Sequence, residues 1–336
     1  MLVFYTIFCT ALFAQNEDNF RIDANGTITA YLGMTGDIVI PARIGAITVT
    51  AIDNGVFGRR NLTSITIPPG VSHIGSFAFS DNRLTSVIIP ETVTSIGSAA
   101  FNRNQLTSLI LPGSLSRLYG FSMNQLTSLV IPYGVTAIGM GSFGHNRLTS
   151  ITISDSVTYI GLAAFANNQL TSVVIPNSVT RLYGFTNNQL ESVKIGNSVI
   201  SIGDMTFRNN QLQSVIIPDS VVSIGSRAFE NNQLTYIAIG ASVTSIGRDA
   251  FRNNQLTSIT IPGGVTVIEG GAFHENHLTS VTIGPNVTLL HYTTFSAYSG
   301  EWVTVDAIDN GFAFFYNANN RMAGTYLFID GQWSIR

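Results

Sequence analysis

One seven-residue pattern, close to L-T-S-V-x-I-P, recurs eleven times in this chain and constrains its fold more than any other feature. The first copy starts at Leu62 and the last at Leu278. Eight of the ten intervals between copies are 22 residues long, and the other two are 20 residues long. A repeat this short cannot bury its apolar side chains alone, whereas stacked copies can. The sequence therefore predicts one elongated solenoid.

Residues 84–105, LTSVIIPETVTSIGSAAFNRNQ, form one complete repeat unit. Apolar side chains alternate at its start, as in a β-strand, and that strand ends at Pro90 because proline has no N–H to donate. A second short extended segment ends at Ile96, and Phe101 follows on a turn or 3₁₀ arc. The unit predicts a right-handed, β-rich superhelix of about twelve coils of 20–22 residues, with a parallel sheet and short arcs.

Stacking places equivalent residues of adjacent coils about 4.8 Å apart and turns sequence columns into physical ladders. We expect the phenylalanine column to form a stacked aromatic spine in the core. The asparagine column offers amides, which donate and accept, to backbone groups buried at the corners. The phenylalanines are Phe57, Phe79, Phe101, Phe121, Phe143, Phe165, Phe185, Phe207, Phe229, Phe251, Phe273 and Phe295. The asparagines are Asn82, Asn104, Asn124, Asn146, Asn168, Asn188, Asn210, Asn232, Asn254 and Asn276.

The repeat unit resembles the BspA-type leucine-rich repeat, which also occurs in treponemal repeat proteins. The resemblance extends over residues 38–299 and is specific because the motif recurs so often. It implies a leucine-rich-repeat fold and a secreted or surface-exposed bacterial protein that adheres to host matrix proteins or to other cells. Many family members carry cysteine near the corner where this chain has asparagine, and no binding residues of the family transfer to particular positions here.

Composition and charge exclude several classes of protein. Only 10% of the residues are charged and the formal net charge is −3, so the chain offers no basic patch for nucleic acid. No apolar run reaches the roughly 18 residues of a membrane-spanning helix. The five histidines are scattered, and only His274 and His277 lie close together. We expect no metal site, no cofactor and no catalytic residues, and hence no enzyme.

The ends of the chain depart from the repeat. Residues 1–14 resemble a signal peptide, since an apolar run ends abruptly at a polar stretch. A lipidated Cys9 and a buried first strand are the alternatives. Residues 15–61 are interpreted as an N-terminal cap with a degenerate first coil, 62–299 as the solenoid, and 300–336 as a C-terminal cap. That cap should be a β-hairpin that turns at Asp330 and Gly331. Secretion or cell-surface display, including the periplasm or outer membrane, is the expected localisation.

The outward face of the first strand is the most informative surface. One column on this face should point away from the core because side chains alternate along a strand. Large exposed apolar patches usually bind something, although β-branched residues also favour strands by propensity alone. The column is Thr66, Ile88, Ile110, Val130, Thr152, Val174, Lys194, Ile216, Ala238, Thr260 and Thr282. Ile88, Ile110, Val130, Val174 and Ile216 are its candidate binding residues.

The two 20-residue units share the segment R-L-Y-G-F, which contains Tyr119 and Tyr183. A tighter arc inherited by duplication explains the segment, and exposed aromatic anchors for a ligand are the alternative. Two functions stay open for the whole chain. The first is a module that binds an extracellular or host-matrix protein, and the second is a self-assembling structural surface protein. A threonine column that binds ice is less favoured, because Glu191 and Gln213 interrupt it.

Overall fold

The structure is a computed structural model, and it describes residues 16–34, 36–296, 301–309 and 311–336. The predicted signal peptide at residues 1–14 lies outside the described residues. The chain forms a β-solenoid of about twelve coils with parallel strands and very little helix, so the predicted fold class is confirmed. Each coil contains a first strand, a second strand and an arc that closes on the phenylalanine.

The strands are short because each coil turns a corner after two to four residues. The first strands are Asp37–Val39, Ser64–Thr66, Ser128–Val130, Ser150–Thr152, Ser172–Val174, Ser192–Lys194, Ser214–Ile216, Tyr236–Ala238, Ser258–Thr260 and Ser280–Ile283. The second strands are Ala51–Ile52, His73–Ile74, Ser95–Ile96, Arg117–Leu118, Ala137–Ile138, Tyr159–Ile160, Arg181–Leu182, Ser201–Ile202, Ser223–Ile224, Ser245–Ile246, Val267–Ile268 and Thr288–Leu289. Residues 86–88 and 108–110 follow the same path without forming a strand.

A phenylalanine spine fills the core along the arcs. From Phe57 to Phe273 every consecutive pair of rings is stacked, with centroids 5.1 to 5.7 Å apart. The rings are fully buried from Phe57 to Phe251. Tyr31 covers the first ring. Phe295 lies instead in a strand of the C-terminal cap, and its side chain is outside what the structure describes.

The asparagine column joins adjacent coils at the corner that follows the arc. The amide nitrogen of Asn168 donates to the carbonyl oxygens of Phe165 in its own coil and Phe143 in the preceding coil, each at 3.0 Å. Its amide oxygen accepts the N–H of Leu148 at 3.0 Å. The same three bonds recur at Asn104, Asn210 and Asn254. Each side chain therefore satisfies three buried backbone groups that would otherwise be costly to bury.

Adjacent coils are joined differently along their two strands. The second strands form parallel ladders at every junction except the one between Ser95–Ile96 and Arg117–Leu118. The arcs are bonded throughout, since each spine phenylalanine donates its N–H to the next coil. The first strands of the described coils pair only two by two, as in Ser128–Val130 with Ser150–Thr152. The parallel sheet expected from the sequence is present, and along the first strands it is divided into pairs.

The seventh residue of the motif, which follows the first strand, correlates with this pairing. In four described junctions the second coil has Ser154, Gly196, Gly240 or Gly284 at this position, and all four pairs form. Proline stands there in seven others, and only the junction leading to Pro68 is paired. A Cβ atom at Gly196 or Gly240 would lie 2.3 Å from the carbonyl oxygen of the preceding coil's proline. At Gly196 and Gly240 the missing Cβ atom therefore permits the two backbones to approach closely.

The N-terminal cap begins with a 3₁₀ turn at Glu17–Asn19. Strand Phe20–Ile22 then pairs antiparallel with Thr27–Tyr31, which pairs parallel with Ala51–Ile52 and so starts the second-strand sheet. A small hairpin, Arg43–Ile44 with Ile47–Thr48, protrudes from the first coil. Together these elements cover the open end of the spine.

The C-terminal cap is larger than the sequence indicated. The predicted hairpin at Asp330 and Gly331 is confirmed, since Gly324–Ile329 pairs antiparallel with Gln332–Ile335 and extends the sheet beyond Ser280–Ile283. A helix at Phe312–Ala318 precedes it. The aromatic residues Phe312, Tyr316, Tyr326 and Trp333 are buried here, and burial raises the pKa of the Tyr316 and Tyr326 phenols.

After Thr288–Leu289 the chain departs from the path of the preceding coils. His291–Ser296 forms an antiparallel hairpin with Glu301–Asp306 instead of a coil, because the repeat's asparagine corner is absent from this stretch. The chain then re-enters the stack. The N–H groups of Gly271 and Phe273 donate to the carbonyls of Asp306 and Ala307, as they would to a twelfth arc.

Candidate functional site

The outward surface of the first strands, here called the strand-1 face, carries the candidate binding residues. Their side chains point to solvent because their neighbours on either side point into the core. Between 62% and 84% of each residue's surface is exposed, which is unusual for large apolar side chains. The five residues are Ile88, Ile110, Val130, Val174 and Ile216. The structure thus places them in one row, and their role in binding stays a prediction.

Grooves open on this face where neighbouring first strands are unpaired. One groove, of about 430 Å³, lies between residues 86–91 and 108–112 and is lined by Ile88 and Ile110. A second, of about 360 Å³, has Val174 and Pro176 on one wall. A third, of about 350 Å³, lies between Lys194 and Ile216. Four of the five candidate residues therefore line a groove rather than a flat sheet.

Polar groups around the grooves are mostly uncharged. Serine columns flank each groove, as at Ser86 and Ser108 in the first. At the N-terminal edge of the face, the hydroxyls of Thr63 and Ser64 donate to the Asp37 carboxylate, each at 2.7 Å. These bonds stabilise the ionised form and lower the pKa of Asp37. The face combines apolar contact area with hydroxyl donors and acceptors, a composition that fits a protein surface.

Tyr119 and Tyr183 do not project as free anchors. Both rings are half-buried. A Cβ atom at Gly139 or Gly203 would lie less than 2 Å from the tyrosine of the preceding coil, so each ring packs directly on a glycine of the next coil. The rings occupy space near the arc that these two coils shorten by two residues. Their role in ligand binding stays a prediction, with part of each ring already used for packing.

The arcs of the last coils carry a network of charged groups. Asp249 and Glu230 are buried among arginines, with Arg208 close to Glu230 and Arg227 near both carboxylates. The His274 ring bonds to the Asp309 carboxylate, which also accepts the N–H of Glu275. The Asp309 hydrogen bond raises the pKa of His274. These contacts tie the last arc to the C-terminal cap.

Another surface groove, of about 450 Å³, lies on the arcs of the first coils and was not identified from the sequence. Arg59, Phe77, Asp81 and Arg103 line it. The sequence does mark this groove, because Phe77 stands two residues before a spine phenylalanine, where most other arcs have alanine, glycine or a polar residue. The unusual residue could not be interpreted from the sequence alone, because only the structure shows that the side chain at this position faces outward.

The described part of the chain contains no cluster of three or more histidine, cysteine, aspartate or glutamate residues suited to a metal ion. Within the same residues, no helix has the length and apolar character needed to cross a membrane. The tyrosine, arginine and carboxylate groups near the strand-1 face do not form a nucleophile with a general base.

Comparison with known proteins gives the following matches. The family model described as BspA type Leucine rich repeat region matches residues 40–125, 117–183 and 181–300, in six copies. A leucine rich cell surface protein from Faecalibacterium prausnitzii A2-165 is 29% identical with a TM-score of 0.48, and the match covers 80% of this chain and 87% of that chain. The pneumococcal vaccine antigen PcpA is 20% identical with a TM-score of 0.51, covering 80% and 81%. No curated protein matches this chain significantly.

Proposed function

This chain belongs to the BspA-type leucine-rich repeat family, and on that premise we propose that it is a secreted or cell-surface bacterial protein that binds another protein. Binding uses the strand-1 face. The observation that carries the proposal is the row of five exposed β-branched residues from Ile88 to Ile216. Exposed apolar surface of this kind is costly to leave in water and is characteristic of interaction sites.

The partner is an extracellular or host-matrix protein with a surface that is elongated and weakly charged. The strand-1 face crosses the solenoid along its length, so a partner must extend over several coils to contact Ile110 and Ile216 together. The grooves at unpaired junctions accept apolar side chains of the partner, while the serine columns hydrogen-bond at the rim. The chain acts as a binding module without catalysis or cofactor.

The experiment is surface plasmon resonance with the purified chain over immobilised fibronectin, fibrinogen and collagen. The disruptive variant is Ile110→Asp with Ile216→Asp, which puts charge into two grooves of the apolar row. The matched control is Thr66→Asp with Thr260→Asp, which adds the same charge to exposed positions of the same column. We expect the Ile variant to weaken binding at least about tenfold, equivalent to about 1.4 kcal/mol, and the control to bind normally. Binding that survives in a folded Ile variant would remove the site from this face.

Self-assembly is the second candidate function, and the C-terminal edge favours it. The cap sheet ends on Gln332–Ile335, which within the described residues pairs on one side only. Ile335 is exposed on this edge strand. Unpaired edges of this type template pairing with another chain. Light scattering at increasing concentration would show dimers or larger species. Ile335→Pro would abolish them if this edge is the contact, because the Ile335 N–H points away from Gly324–Ile329.

A further inference from the structure

The arc groove on the first coils has the geometry of a ligand site. It runs along the solenoid axis between two columns of residues with positive φ. Arg59, Asp81 and Arg103 stand in the outer column, and Phe77 stands in the inner one. The floor is low because Gly58 and Ser80 follow the spine phenylalanines here. Its volume of about 450 Å³ lies within the range of small-molecule sites.

Phe77 combines a positive φ angle with an exposed aromatic side chain. Its φ is 56°, in the left-handed region that a bulky side chain rarely adopts. Alanine or glycine occupies the same position in several other arcs, as at Ala99, Gly141 and Ala163, and Met205, Arg227 and Asp249 occupy it in the later coils. The Phe77 side chain lies outside the core, and 55% of the residue is exposed. A strained and exposed aromatic residue is typical of a binding surface rather than a core.

The two arginines of the groove have unused hydrogen-bonding capacity. Arg59 and Arg103 lie on either side of Asp81, at 3.8 and 3.5 Å, and 84% and 62% of their side chains are exposed. Contacts this long between exposed groups contribute little to stability. Because one carboxylate stands between two guanidinium groups, the local charge is positive. An anion can therefore be held at either end of the groove.

The last coils show what a filled arc looks like. There the residues that follow the phenylalanines are large and charged, such as Arg208, Glu230 and Arg252. They pair across coils, with Arg208 2.5 Å from Glu230 and Arg252 2.5 Å from Glu275. The first arcs carry small residues at the same positions and leave the guanidinium groups facing solvent. The arcs of the first coils are thus open where those of the last coils are filled.

We infer that the arc groove formed by Arg59, Phe77, Asp81 and Arg103 binds an acidic glycan whose carboxylates recur on alternate sugar rings. Arg59 and Arg103 are two coils apart, about 10 Å along the axis, and each pairs with one carboxylate. The neutral ring between these acidic rings lies against the face of Phe77. Its hydroxyls donate to Asp81. A run of acidic side chains in a peptide would instead bring a carboxylate against Asp81.

Isothermal titration calorimetry of the full chain with a hexasaccharide of alternating glucuronate and N-acetylglucosamine tests this inference. The neutral N-acetylglucosamine hexamer and hexaglutamate are the control ligands. The variants are Arg59→Gln with Arg103→Gln, and Phe77→Ala, which introduces the residue that Ala99 and Ala163 already place in this conformation. Arg117→Gln with Arg181→Gln removes the same charge from exposed second-strand positions and is the matched control.

The expected result is binding of the acidic hexasaccharide that weakens at high salt. The double arginine variant should lose at least about tenfold in affinity, Phe77→Ala should lose severalfold, and the matched control should be unchanged. Absence of binding would overturn the inference. So would equal binding of the neutral hexamer or of hexaglutamate, or binding that the Arg59 and Arg103 substitutions leave unchanged in a folded protein. These results are independent of the strand-1 face, which none of the variants touches.

Discussion

The two long sides of the solenoid differ in how neighbouring coils are held together. Along the arcs and second strands almost every junction is bonded, and the phenylalanine spine and asparagine ladder lie beneath. Along the first strands the coils from residue 126 onward pair two by two, and the grooves lie at the junctions between pairs. One sequence repeat therefore builds a continuous side that stabilises the fold and a discontinuous side that carries the exposed apolar residues and the grooves.

The largest expected effect is on the continuous side. Phe165→Ala removes a fully buried ring that stacks on Phe143 and Phe185, both within 5.7 Å. Cavity formation should lower the free energy of unfolding by about 3–5 kcal/mol, measured by urea denaturation. Ile110→Thr, which places the column's own polar residue on the strand-1 face, should change it by no more than about 0.5 kcal/mol. A loss below about 1 kcal/mol for Phe165→Ala would contradict the conclusion that the phenylalanine spine stabilises the fold.

An intermediate effect should distinguish paired from unpaired junctions. Gly196→Ala puts a Cβ atom 2.3 Å from the Pro176 carbonyl oxygen inside a pair of first strands. The overpacking should cost about 1–3 kcal/mol. Gly263 lies on the same side at a position where a Cβ atom meets nothing within 4 Å. Gly263→Ala should therefore be neutral or stabilising by about 0.4–1 kcal/mol.

Amide hydrogen exchange gives a local readout of the same substitution. The N–H of Ile175 donates to the carbonyl oxygen of Lys194 at 2.8 Å and depends on the pair remaining closed. Its exchange should accelerate in Gly196→Ala, while the N–H of Ile131 in the next pair towards the N-terminus should be unaffected. Equal exchange of Ile175 in both proteins would mean that glycine at this position does not control the pairing.

The smallest expected effect is electrostatic and lies where the continuous side meets the cap. The Asp309 hydrogen bond raises the pKa of His274, with Glu275 acting in the same direction and Arg252 opposing it. A raised pKa in the folded state means that the contribution is complete below the unfolded pKa of about 6.5 and is lost as pH rises through the folded pKa. Because the His274 and Asp309 side chains are partly exposed, their interaction contributes less than about 1 kcal/mol to the free energy of unfolding.

The measurement is the free energy of unfolding between pH 5.5 and 8.5. The difference between the parent protein and His274→Gln should shrink as the pH rises. His277→Gln, three residues away and without the Asp309 contact, is the control and should show no such trend. A difference that stays constant across this range would mean that the protonated ring does not hold the cap.

The repeat, the coil number and the two ladders follow from the sequence because they depend only on spacing. The repeat positions that Phe165 and Asn168 occupy recur at a fixed distance from the motif leucine, and stacking alone brings equivalent residues together. Pairing of the first strands was not predicted, although the alternation of Pro176 with Gly196 and Pro218 with Gly240 is visible in the sequence. Its meaning depends on how closely two backbones approach, which residue identity alone does not specify.

The candidate site was predictable in part for the same reason. Exposure of Ile110 and Ile216 follows from strand alternation, whereas the grooves beside them follow from the broken pairing. The caps were the least predictable region, since Phe312–Ala318 forms a helix in a stretch with no repeat to align it. The arc groove around Phe77 depends on a positive φ, which no spacing rule reveals.

Alternate pairing of the first strands also has a mechanical consequence. The side that contains the arcs and second strands resists bending because its coils are bonded at almost every junction. The side that contains the first strands can open between the pairs. Bending is concentrated at the junctions without strand pairs, because there the first strands can separate without breaking a ladder. Every groove on that side changes its width when the curvature changes. A partner gripping two distant grooves therefore also fixes how far the solenoid is bent between them.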